Sequence, residues 1–196
     1  NGVATADINL KAGNYAVTAI NNINKEQVQF GLSISKITPE MSFEVTQSNG
    51  VVKITTIMDP LTVTGNLNYT EDGKTRLEKL ENGRSTYTYS YLTPGDYVFE
   101  RGYMGDVNYN PISYASVKFT VSSPILTAGS VSLVYGTTKY FTVSVNYPEG
   151  GPVYNKKVTI VVDGKSYRCT YYGVTGTDGK VSINCNTLIP DTYTVS

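Results

Sequence analysis

Apolar and polar residues alternate along nearly every hydrophobic stretch of this sequence, and a period of two restricts the chain to β-structure. Phe141-Thr142-Val143-Ser144-Val145-Asn146-Tyr147, Val117-Lys118-Phe119-Thr120-Val121-Ser122 and Phe43-Glu44-Val45-Thr46 each place every second side chain on one face of a strand. Val, Ile, Thr and Tyr fill these runs, and branched or aromatic side chains suit the pleat. The best helical candidate, Thr75–Glu81, has Leu77 and Leu80 at i and i+3 but runs into Asn82-Gly83 and the alternating Ser85–Tyr91. Asn-Gly accepts the positive φ of a two-residue turn, so the segment reads strand, turn, strand.

A six-residue pattern, L-x-[AP]-[GD]-x-Y, occurs three times: Leu10–Tyr15, Leu92–Tyr97 and Leu188–Tyr193. The tyrosines are 82 and then 96 residues apart, the length of one immunoglobulin-like sandwich. Leu closes one strand into a core, the Pro/Gly/Asp turn carries the chain to the other sheet, and Tyr opens the next strand. The hydroxyls of Tyr15, Tyr97 and Tyr193 are then expected to reach back to main-chain groups upstream as tyrosine corners. Prolines after alternating segments, in Ile37-Thr38-Pro39 and Ser122-Ser123-Pro124, mark boundaries, because proline cannot donate to a ladder. The expected organisation is all-β, tandem immunoglobulin-like β-sandwiches, with 1–37 the C-terminal strands of one domain, 38–122 a complete domain and 123–196 a domain lacking its final strand.

The first and last segments therefore read as complementary halves of one domain type. Asn1-Gly2-Val3 even resembles the turn at Asp178-Gly179-Lys180-Val181. An open sandwich leaves apolar faces and an unpaired edge in water. Two arrangements accommodate this: flanking domains of a longer tandem protein, or strands donated between neighbouring copies to give a head-to-tail filament.

Composition narrows the chemistry. Histidine is absent, which removes Ser/His/Asp and Cys/His nucleophilic arrangements and His-ligated zinc. Sixteen basic and sixteen acidic residues cancel, leaving no electrostatic case for nucleic acid or an anionic membrane. Purely apolar runs reach about three residues, as at Ile160-Val161-Val162, against the ~20 of a membrane-spanning helix. No catalytic residue, metal site or cofactor is expected.

Cys169 and Cys185 flank Thr177-Asp178-Gly179 symmetrically, so in a hairpin they would lie nearly opposite each other. A disulfide is the expected state, contributing roughly 3 kcal/mol and implying export; buried free thiols, or a metal or redox site, are the alternatives. Asn68-Tyr69-Thr70 is the one N-x-[ST] sequon and marks Asn68 as a possible glycan acceptor. Tyr87, Tyr89 and Tyr91 line one strand face, either as a sugar-stacking platform or, preferably, as an inner sheet face. The loop Gly102–Pro111 offers Asp and Asn oxygens but a single carboxylate, too few for calcium. Lys53, Lys139 and Lys157 fall on expected strands and have no identifiable partner for an internal Lys–Asn bond.

Leu92–Tyr97 followed by Gly102–Pro111 and Ala115–Val121, with Val153–Ile160, Asp163-Gly164-Lys165 and Thr177–Lys180 in the last segment, resembles the tandem bacterial-Ig-like repeats of microbial surface proteins. The likeness is strongest to the adhesin-like proteins of methanogenic archaea and covers nearly the whole chain. The resemblance implies an extracellular, non-enzymatic repeat unit of a cell-surface stalk or filament, whose partners are copies of itself or flanking domains. Its alternative implication is an adhesin module that binds a surface glycan or protein. Most such repeats lack the cysteine pair.

Overall fold

The computed structural model describes residues 5–71 and 73–196. Asn1-Gly2-Val3 and Asp72 lie outside them. Among the described residues all regular structure is β, in five separate small antiparallel sheets. Strands β1 (Gly13–Ile20) and β2 (Gln27–Ile34) form a two-stranded sheet that pairs Tyr15 with Leu32, Val17 with Phe30 and Ala19 with Val28.

Seven strands follow: β3 (Glu40–Ser48), β4 (Val51–Asp59), β5 (Asn66–Glu71), β6 (Lys74–Lys79), β7 (Arg84–Ser90), β8 (Gly95–Tyr103) and β9 (Ile112–Val121). They make one sheet ordered β3-β4-β7 and another ordered β6-β5-β8-β9. The remaining strands are β10 (Ile125–Ala128), β11 (Tyr140–Asn146), β12 (Lys157–Asp163), β13 (Arg168–Val174), β14 (Lys180–Asn184) and β15 (Thr194–Val195). Their sheets are ordered β10-β11-β14 and β13-β12-β15.

Alternation translates directly into burial. Phe141, Val143 and Val145 of β11 are buried while their neighbours are not, and β4 buries Val52, Ile54, Thr56 and Met58 in the same rhythm. The chain divides into two compact units. One comprises the residues up to Glu44, with Ile54–Tyr87 and Val98–Lys118; the other comprises Val45–Lys53, Thr88–Tyr97 and Phe119–Ser196. In the first, Met58, Val63, Leu67, Leu80, Tyr103 and Tyr109 form the core. In the second, Phe141, Val143, Val145, Val158, Ile160, Val162, Val181 and Ile183 meet from two sheets in one core.

Two turns decide how strands are dealt between sheets. Asn82 (φ 51°) and Gly83 (φ 68°) make the two-residue turn expected from Asn-Gly, closed by reciprocal main-chain hydrogen bonds between Glu81 and Arg84. The flanking strands then part, β6 to one sheet and β7 to the other. The turn at Thr177-Asp178-Gly179 does the same, since β13 pairs with β12 and β14 with β11. Asn49-Gly50 (φ 51° and 72°) joins the sheet neighbours β3 and β4 through a two-residue connection.

That crossover overturns the expected disulfide. Cys169 lies on β13 opposite Val162, Cys185 follows β14, and both thiols are free. The symmetric spacing would bring them together only in a hairpin; here the two strands belong to different sheets, and sheets packed face to face stand about 10 Å apart.

Candidate functional site

The three tyrosines of the repeated pattern make the same contact. Tyr15 Oη donates to the Lys11 carbonyl at 2.8 Å, Tyr97 Oη to Thr93 at 2.7 Å and Tyr193 Oη to Ile189 at 2.9 Å, each four residues upstream. Tyr15 and Tyr97 are each the third residue of their strand, β1 and β8, and Tyr193 immediately precedes β15. The Tyr97 ring also stacks on Phe119 of β9 at 5.4 Å. The hydroxyl thus clamps the turn while the ring packs along the sheet. Tyr97→Phe keeps the ring but loses the clamp and the 3.0 Å contact between Tyr97 Oη and the Thr93 hydroxyl, so urea unfolding should show a loss of about 1–2 kcal/mol, the net worth of two solvent-accessible hydrogen bonds.

The most unusual group in the first unit is Arg101, whose side chain is 1% exposed. It lies on β8 with Phe99 and Tyr103 on the same face. Its guanidinium carbon sits 3.8 Å from the Tyr69 ring centroid, 4.6 Å from Phe99 and 5.0 Å from Tyr87. One nitrogen, Nη2, donates to Glu78 Oε2 at 2.9 Å, while Nε and Nη1 are buried without a hydrogen-bond partner among the described residues. Ser85 Oγ donates to the other Glu78 oxygen. Beside this pair, Glu71 accepts a hydrogen bond from Tyr87 at 3.0 Å and faces Arg76 at 3.4 Å. The aromatic faces partly replace the water that the guanidinium has lost. The group can fix strand position, but its burial keeps solutes from the guanidinium. Sequence reasoning passed over Arg101; the available signal was a charge at an inward position of the alternating Phe99-Glu100-Arg101-Gly102-Tyr103.

The loop after β8 is tied together by Asp106. Its carboxylate accepts hydrogen bonds from the Thr64 hydroxyl and amide and from the Asn108 and Tyr109 amides. Partial burial raises its pKa, but these four donors outweigh that and hold it below the ordinary 3.8. The Asp106 oxygens of the loop Gly102–Pro111 are therefore engaged by protein donors, and Asn108 Oδ1 accepts from the Ala12 amide. Nearby, Tyr103 donates to the Thr64 carbonyl at 2.8 Å; burial first, then the Asp106 charge, pushes its pKa up to about 12. A carboxylate with a depressed folded pKa contributes stability above its unfolded value and loses it as pH falls through the folded one. Asp106→Asn should therefore flatten the fall in the urea midpoint between about pH 5 and about pH 2 relative to the unsubstituted chain.

In the second unit, Cys169 lies between Tyr167 and Tyr171. Hydrogen bonding to this thiol is the largest influence raising the Tyr171 pKa to about 12, with burial second, and it also raises that of Tyr167. Cys185 is buried in the shared core. Alkylation of the denatured, unreduced protein should accordingly label both cysteines, and reductant should leave the melting temperature unchanged. Leu188–Tyr193 and the loop 128–137 border a cavity of about 560 Å³ whose floor includes Phe141, Val162 and Ile183.

No protein-family model and no curated protein matches this sequence. Asn68 sits half-buried in the middle of β5, opposite Leu77 on one side and Gly102 on the other, and a side chain at Gly102 would collide with the Asn68 amide. Tyr87 and Tyr89 are engaged with rings inside the fold, Tyr87 with Tyr69 and Phe99, Tyr89 with Phe119, while Tyr91 is exposed. The stripe is not an open stacking platform. Lys53 and Lys157 are exposed, and exposed Lys139 donates only a long 3.4 Å hydrogen bond to the Ser132 carbonyl. Among the described residues no cluster of three or more Cys, Asp or Glu could hold a metal, and no helix is long and apolar enough to cross a membrane.

Proposed function

We propose that this chain is a non-enzymatic structural segment of an extracellular stalk or filament, built of immunoglobulin-like β-sandwiches in tandem on a microbial surface. The observation that carries the reading is the threefold recurrence of one turn with one hydrogen bond, Tyr15 to Lys11, Tyr97 to Thr93 and Tyr193 to Ile189, at intervals of a domain's length. Repetition of a structural clamp, with no repeated constellation of reactive groups, is what a load-bearing array requires. The shared cores and ladders resist separation of the strands, while proline at Pro39 and Pro124 stiffens the connections. The buried Arg101–Glu78 pair supports the same role, because an interior ion pair penalises alternative strand pairings that would leave either charge unpartnered.

Immunogold electron microscopy of cells that make the chain tests this. Label along regular, elongated surface fibres is expected. Label confined to the cell interior would overturn the reading.

A further inference from the structure

We propose that the outer edge of β13 (Arg168–Val174) pairs antiparallel with the same edge of a second copy of this chain, joining two copies across a two-fold axis at Tyr171. Hydrogen-bond parity decides which groups that edge offers. The Gly164 amide donates to the Tyr167 carbonyl and the Thr175 amide to the Lys156 carbonyl, both at 2.9 Å. Those pairs continue the register in which Ile160 faces Tyr171 and Val162 faces Cys169. Antiparallel ladders alternate bonded with unbonded pairs, so the main-chain groups of Cys169, Tyr171 and Gly173 are the ones that turn toward β12. Val161, between Ile160 and Val162, exchanges its own bonds with Ser196 on the other side of β12, as that alternation requires. The N–H and C=O groups of Arg168, Thr170, Tyr172 and Val174 therefore point away from β12. Among the described residues β13 is an outer strand of its sheet, and no strand pairs with that side of it.

β-Proteins commonly protect such edges with charge, proline or a bulge. β6, which stands outermost beside β5 as β13 stands outermost beside β12, carries Lys74, Arg76, Glu78 and Lys79 among its six residues. From Cys169 to Val174, β13 has no charge and no proline, and its Thr, Tyr and Val residues favour extended chain. Its outward side chains include Tyr172, 81% exposed, and Val174, 52% exposed.

The occupant that fits this edge is the strand itself. With Tyr171 on the axis, Thr170 lies opposite the partner's Tyr172 and Arg168 opposite the partner's Val174, so all four outward residues of each strand reach bonding positions together. Moving the axis by one residue leaves an outward residue of each strand beyond the end of its mate. The charges agree with this register. Arg168, the one charge on β13, already faces Asp163 at 3.9 Å. Across the contact it meets an uncharged valine and stands about 20 Å from the partner's Arg168, beyond the reach of screened repulsion. On the exposed face Tyr172 and the partner's Tyr172 become diagonal neighbours, within reach of each other's rings. Because one surface serves both copies, the contact closes at two.

Sedimentation velocity of the full chain from about 1 to about 500 µM tests this, a range suited to a small interface. A monomer–dimer equilibrium that grows no further is expected. Thr170→Pro removes an N–H that β12 does not use and sets a ring against the incoming strand. It should weaken pairing about 10-fold or more while far-ultraviolet circular dichroism stays unchanged. Tyr172→Glu, on the exposed face, repeats the test should the proline disturb the fold. Mixing reads the register: Thr170→Lys and Tyr172→Glu chains place opposite charges directly across the contact only when combined, so the mixed dimer should be about 3-fold or more tighter than either variant's own. A chain that stays monomeric, growth past the dimer, pairing untouched by both Thr170→Pro and Tyr172→Glu, or a mixture no tighter than its parts overturns the proposal. The contact is independent of the structural reading above. Regular surface fibres with a monomeric purified chain sink the pairing alone, and dimers with label confined to the cell interior sink the structural role alone.

Discussion

Glu78→Ala is expected to lower the stability of the first unit by about 3–5 kcal/mol in urea unfolding, because it leaves a buried guanidinium without its counter-charge. Arg101 is 1% exposed and Glu78 27%, so neither water nor salt can substitute freely for the lost carboxylate. The aromatic rings around Arg101 soften the cost but cannot accept its hydrogen bonds. The partner substitution should behave oppositely. Arg101→Met fills similar space among Tyr69, Phe99 and Tyr87 with an unbranched apolar side chain, removes two unpartnered buried donors and leaves Glu78 with an exit to solvent. Its effect should fall within about 1 kcal/mol of zero or be stabilising. Adding Arg101→Met to Glu78→Ala should therefore recover most of the loss. If Glu78→Ala alone costs under about 0.5 kcal/mol, water reaches the guanidinium and the pair belongs with ordinary surface ion pairs.

Gly83→Ala should cost about 2–4 kcal/mol, summing the strain of a side chain at positive φ with overpacking. Gly83 has φ 68°, and a Cβ there would stand 2.7 Å from both the Cα and the carbonyl oxygen of Leu61. Backbone cannot step aside as a flexible side chain can. Gly73 is the control: its φ is 71°, but a Cβ there meets nothing within 4 Å. Gly73→Ala should pay the conformational penalty alone, about 1 kcal/mol. Thermal unfolding of the two variants separates the terms, and equal losses would remove the proposed clash with Leu61.

Much of the local structure was legible. Phe43 and Val45, Val117, Phe119 and Val121, and Phe141, Val143 and Val145 all turn inward at least in part, as the alternation of their runs requires. Asn82-Gly83 adopts the two-residue turn that its residue types favour. Partnership was not legible. The same turn sends β6 and β7 to different sheets, and the turn at Thr177-Asp178-Gly179 separates Cys169 from Cys185 although their spacing is symmetric about it. Each turn is satisfied by a handful of dihedral angles, whereas the sheet a strand joins depends on residues far away. Arg101 escaped for a related reason: it occupies an inward position, but Tyr69, Glu78 and Tyr87, which make that position tolerable, arrive from three other strands.

What the sequence determined by itself was the strand character, the inward face of each strand, the dihedral demands of the Asn-Gly turns and the three recurrences of the tyrosine pattern, since all of these rest on interactions within a few residues of chain. The tertiary structure decided which strands became neighbours, that the two thiols stay apart, and that an arginine is buried against rings and a carboxylate. Those outcomes depend on side chains that meet only after distant segments are packed, where burial of the apolar faces outweighs any local preference.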